Sequence, residues 1–121
     1  MSDQVETPWS DAMEHVWHER CRQEHVEGWA PEHDDTHVKG ELASAAITYA
    51  LHAVVIAKCL QLGMSQAAID SLSAEVPMPE TWPWSPEWWK PKNQRADLVR
   101  AGALIVAEIE RLDRLAAKVP E

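Results

Sequence analysis

The chain has 121 residues, 45% hydrophobic and 26% charged, enough for one core but not for a second independently folding unit, and ordinary for a globular domain rather than a disordered one. Its 11 Lys and Arg against 20 Asp and Glu leave a formal net charge of -9, which works against duplex nucleic acid, a partner held by many cations on one face. The same acidity fits solubility, a metal site or a surface that imitates nucleic acid.

In chain order, residues 1–7 are polar and acidic and read as a disordered N-terminus rather than a leader. Residues 8–119 read as a single helical domain. Thr7-Pro8 has the form of a helix start, and Asp11 with Glu14 offers a second one. The predicted first helix runs to about Glu27, stops at Gly28, and turns inward the stripe Met13, Val16, Trp17, Cys21. Trp29 to Asp35 reads as a connector broken by Pro31. A second helix, capped by Asp35 or Thr36, runs to Leu62 with Gly63 as its left-handed stop. Its wide apolar stripe, Leu42, Ala45, Ala46, Tyr49, Ala50, Ala53, Val54, Ala57 and Leu60, marks it as the central helix. The polar residues Ser44, Thr48, His52, Lys58 and Gln61 interrupt the run that a membrane span needs.

Ser65 caps a short third helix over Gln66 to Leu72. Five prolines between Val76 and Pro91 forbid a regular helix, so residues 76–92 read as an extended Pro/Trp-rich strap in which Ser85-Pro86-Glu87 starts one helical turn. Asn93 caps a last helix to about Lys118, with Leu98, Ala101, Gly102, Ile105, Ile109, Leu112 and Ala116 facing inward and Asp97, Arg100, Glu108, Arg111 and Arg114 outward. The expectation is an all-α fold: a small bundle of three long helices and one short helix under a strap. Cys21 and Cys59 have no metal or redox spacing and read as buried thiols of a reducing cytoplasm. The alanine-rich helix offers a homodimer contact.

The strings Glu27-Gly28-Trp29, Pro31-Glu32-His33-Asp34-Asp35 with His37, Gly40-Glu41-Leu42, Trp82-Pro83-Trp84, Trp88-Trp89-Lys90-Pro91 and Asp97-Leu98-Val99 through Glu108-Ile109-Glu110-Arg111 resemble short proteins encoded by tailed phages and prophages. That resemblance, over somewhat more than half the chain, implies origin and context rather than chemistry. A more distant resemblance is to the MazG-like all-α nucleotide pyrophosphohydrolases, which bind Mg²⁺ through Glu-x-x-Glu and Glu-x-x-Asp pairs. The chain departs from their pattern at Glu108-Ile109-Glu110, because neighbours two apart on a helix face different directions.

Two groups of residues carry candidate chemistry. His33, Asp34, Asp35, His37 and Glu41, joined by His18 if the first two long helices pack antiparallel, supply nitrogen and oxygen donors for a divalent metal such as Mg, Mn or Zn. The same residues also serve as helix caps and dipole complements. Trp29, Trp84, Trp88 and Trp89 with Lys90 and Arg95 supply rings and cations for a nucleobase and its phosphate, or for a partner protein. They also supply the bulk of a core that has no Phe. Trp88 and Trp89 are adjacent, so in a helical turn only one of them turns inward. The four glycines form no phosphate-cradling loop, and no Ser-His-Asp set emerges from spacing. Two functions follow: an accessory protein that binds a host or phage protein or a small nucleotide, and a metal-dependent nucleotide pyrophosphohydrolase.

Overall fold

The computed structural model describes residues 8–75 and 78–118. The expectations for residues 1–7, including the Thr7 cap, and for Val76, Pro77 and residue 119 lie outside them. The protein is all-α, and no strand occurs among the described residues. The helices are α1 (Asp11–His25), α2 (Pro31–Asp34), α3 (Glu41–Gln61), α4 (Gln66–Glu75) and α5 (Gln94–Ala117), with one 3-10 turn over Pro86–Trp88.

The helix ends follow local chemistry. Ser10 caps α1 by accepting from the Met13 N–H at 3.2 Å. Pro31 does not break the connector. It opens α2, where its missing N–H costs nothing. The second long helix begins at Glu41 rather than at Thr36, because Gly40 turns the chain with φ 81°, a left-handed conformation that an L side chain resists. Ser65 and Asn93 cap α4 and α5 through bonds to the Ala68 and Ala96 N–H groups.

The central helix is α5, not α3. It packs against α3, α1 and α2, while α4 rests on α3. The predicted inward face of α5 is also corrected. Ala101 is buried as expected, but Asp97, Leu104, Ala107 and Arg111 are buried with it, whereas Leu98, Ile105, Ile109 and Leu112 are exposed. The buried stripe lies one residue back from the predicted one, a rotation of about 100°. Alanines let helix backbones approach closely, and the two buried charges have partners, so the small-residue face wins over the larger apolar one. In α1 the predicted stripe holds only in part: Val16 and Cys21 are half-buried, Met13 and Trp17 are exposed, and Arg20 and Gln23 are buried.

In α3, Leu42, Ala45, Ala46, Tyr49 and Ala53 are buried as expected, but toward the C-terminal end Ile56 and Cys59 replace Val54, Ala57 and Leu60. By length and mean hydropathy α3 would suffice to cross a membrane; here one face of it packs on α5. The core joins Leu42, Tyr49 and Leu104 to the buried Trp82, with Trp29, Trp84 and Trp89 against it. Each ring of Tyr49, Trp82 and Trp89 lies 4.9–5.5 Å from the others, the spacing of favourable aromatic pairs. Indoles therefore fill the space that Phe fills elsewhere.

Candidate functional site

Past α1 the chain reverses at Gly28, whose φ is 77°, and sets Trp29 beside the segment that leads into α5. Between them lies a cleft of about 540 Å³ whose walls include Trp29, Tyr49 and Trp88. Arg22, Lys90, Lys92, Arg95 and Arg100 line it against only two carboxylates, Glu19 and Glu27. A chain with a net charge of -9 thus carries a locally cationic, ring-walled hollow.

The acids in the cleft are already committed. Arg22 grips Glu19 with two bonds, at 2.8 and 2.7 Å, and Glu27 with one at 3.0 Å. Gln23 donates to Glu19 at 3.1 Å. Burial pulls the Glu19 carboxyl upward, but the bonds from Arg22 and its charge outweigh that and hold it below its ordinary value. Glu19, and then Glu27, raise the Arg22 pKa, so its charge is permanent.

The other cations are less occupied. Arg100 lies over Tyr49, 5.5 Å from the ring centre, and donates to the Lys90 carbonyl. Lys90 lies 5.7 Å from the Trp88 ring centre. Lys92 and Arg95 have no carboxylate partner among the described residues.

Of the residues named from sequence, Trp29, Trp88, Lys90 and Arg95 share this cleft. Trp84 faces a second hollow of about 440 Å³ with His33 and His37, and Trp29 and Trp88 line both. Trp88 is the outward member of its pair, 46% exposed. Trp89 turns in against Tyr49, Trp82 and His52.

The expected metal ligands do not converge. Asp34 is buried and bonded to Arg20 at 3.0 Å; burial pushes its carboxyl up, with Arg20 opposing. Asp35 accepts from Arg114 at 2.8 and 3.1 Å, which holds it low. Glu41 accepts from the Lys39 N–H at 2.6 Å and lies 3.5 Å from His37. His33 and His37 meet each other at 3.2 Å. His18 is exposed and has no hydrogen bond or ion pair among the described residues. Arginines hold Asp34 and Asp35, and no group of three or more His, Cys, Asp or Glu suited to a metal exists among the described residues.

Three carboxylate pairs do have pyrophosphohydrolase spacing, which the sequence reading passes over: Glu24 with Glu27, Glu32 with Asp35, whose carboxylate Arg114 holds, and Glu110 with Asp113. Glu27 lies beyond the end of α1 and is bound to Arg22, and Glu110 is bound to Arg20. The residues present therefore do not fit a Mg²⁺ centre of that type.

From sequence, Arg22 is a candidate for a phosphate and Lys90, Lys92, Arg95 and Arg100 form a thin basic strip; Tyr49 was missed as a cleft residue. Tyr49 and Arg100 come from helices distant in sequence, and only the fold brings them together. The chain matches no family model, no curated protein and no solved structure.

Proposed function

We propose that this is a phage or prophage accessory protein of the host cytoplasm, a helical bundle strapped by residues 78–92, that binds a small nucleotide in the cleft between Trp29 and Trp88. The observation that carries this reading is the placement of five cations and three aromatic rings around one hollow in an otherwise acidic chain. Trp88 offers a π face for the base, and such stacking is tolerant of base identity. Arg95 and Lys92 are available for phosphate oxygens, and Arg22 holds its charge while clamped by Glu19 and Glu27. Binding of this kind weakens as salt rises.

Calorimetric titration with nucleoside mono-, di- and triphosphates tests it. Affinity rises with phosphate number. Trp88→Ala costs about 1–3 kcal/mol, and Arg95→Ala weakens the triphosphate about tenfold or more. No heat with any nucleotide, or heat unchanged in both variants, contradicts the reading.

A second reading, a docking surface for a partner protein or a second copy, is favoured by the exposed stripe Leu98, Ile105, Ile109 and Leu112 on α5. Light scattering of the purified chain separates a monomer from a self-associating form.

A further inference from the structure

The cluster around His52 lies apart from the cationic cleft and has the geometry of a proton relay. His52 projects from the middle of α3 and Asp97 from the first turn of α5, joined Nδ1 to Oδ2 at 2.5 Å. Asp97 has no exposed surface, and its other oxygen accepts from the Lys92 N–H at 2.8 Å. In the tautomer whose Nδ1–H donates to Asp97, Nε2 is left as the acceptor. Ser73, on α4, has its Oγ 3.3 Å from that Nε2. The order is nucleophile, base and orienting acid, the arrangement that activates a hydroxyl.

The relay opens on a cleft of about 290 Å³ whose lining includes Leu51, Val55, Leu72, Pro79 and Trp89 beside His52 and Ser73. The walls are apolar, suited to a short hydrocarbon chain rather than a phosphate. Trp89 lines this wall with its ring 6.1 Å from that of His52 and is, besides His52, the only lining residue among those described whose side chain carries an N–H.

We propose that Ser73, His52 and Asp97 hydrolyse short-chain carboxylic esters at this cleft, with Trp89 as the donor to the carbonyl oxygen. Ser73 Oγ attacks the ester carbonyl carbon as its proton passes to His52 Nε2. The tetrahedral intermediate collapses, and the alcohol leaves carrying that proton. Water then adds to the acyl group on Ser73 and gives a proton to His52. The carboxylic acid departs as Ser73 Oγ takes the proton back. Asp97 holds the ring through Nδ1. A single oxyanion donor makes turnover slow, since each such donor is worth about 10²–10³ in rate.

The full-length protein is treated with an alkyl fluorophosphonate and its mass measured, and hydrolysis of p-nitrophenyl butyrate is followed in parallel. One phosphonyl group adds, a peptide map places it on Ser73, and Ser73→Ala abolishes both labelling and hydrolysis. Asp97→Asn, which leaves the ring in the wrong tautomer, lowers hydrolysis by about 10³-fold or more while helical circular dichroism persists. The wild-type label is informative even if Asp97→Asn fails to fold. A protein that takes no label on Ser73, or whose Ser73→Ala variant hydrolyses the ester at the wild-type rate, overturns the proposal.

Discussion

Arg20 and Asp34 meet at 3.0 Å with side chains 4% and 1% exposed, so α1 and α2 are joined by a buried ion pair. Glu110 of α5 adds a second oxygen to Arg20 at 3.1 Å, and three elements are pinned at one guanidinium. A buried pair stabilises little over an apolar replacement, but removing one partner strands the other. Asp34→Ala is therefore expected to cost about 3–5 kcal/mol. The double variant Arg20→Met/Asp34→Leu should recover most of that loss, as measured by urea denaturation.

On the acid side of the stability profile, Glu19 and Asp34 contribute with opposite sign. The Glu19 carboxyl lies below its ordinary value of 4.5, so its contribution is present above that pH and is lost as the pH falls through the lowered value. The Asp34 carboxyl is raised from 3.8, so its contribution is present below 3.8 and lost as the pH rises through the raised value. Glu19→Gln should leave the protein less stable near neutrality and flatten the decline below pH 4.5, as measured by thermal unfolding across that range.

Two neighbouring indoles should behave differently on truncation. Trp89→Ala removes a ring packed on Tyr49 and Trp82 and is expected to cost about 3 kcal/mol or more. Trp88→Ala removes a ring that is 46% exposed and should shift the urea midpoint little.

The orientation of α5 makes a further contrast. Ile105→Gln changes an exposed side chain and should alter the stability of the monomer by about 0.5 kcal/mol or less. Ala107→Leu overfills a position that is 1% exposed and should cost about 1–3 kcal/mol. The opposite ranking by chemical denaturation would restore the face predicted from sequence.

A binder leaves its nucleotide intact. Incubation with nucleoside triphosphates and Mg²⁺ or Mn²⁺ is expected to give no pyrophosphate above a Glu41→Ala control. Release above that control would support the pyrophosphohydrolase reading instead.

Three helix ends were readable because they depend on near neighbours: Gly63, Ser65 and Asn93 sit where their backbone and capping chemistry puts them, whereas the start of α3 at Glu41 and the short α2 were not. Helix faces were not. Hydrophobic ranking favoured Leu98 and Ile105, whereas packing chose Leu104 and Ala107, and burial of Asp97 needed His52, which is 45 positions away. Half of the candidate cleft was legible, since Trp88, Lys90 and Arg95 are close in the chain. Tyr49 and Arg100 depend on how α3 and α5 cross. The metal reading took Asp34 and Asp35 for open ligands because their partners, Arg20 and Arg114, lie 14 and 79 positions away.

The most direct test of the nucleotide cleft uses the indole N–H resonances of the seven tryptophans, assigned by single substitution and followed during titration with ATP. The account predicts that the Trp29 and Trp88 signals move together and saturate, while those of Trp9 and Trp17, exposed at a separate hollow, stay in place. Signals of Trp29 and Trp88 that hold still, or equal shifts at all seven, would contradict it.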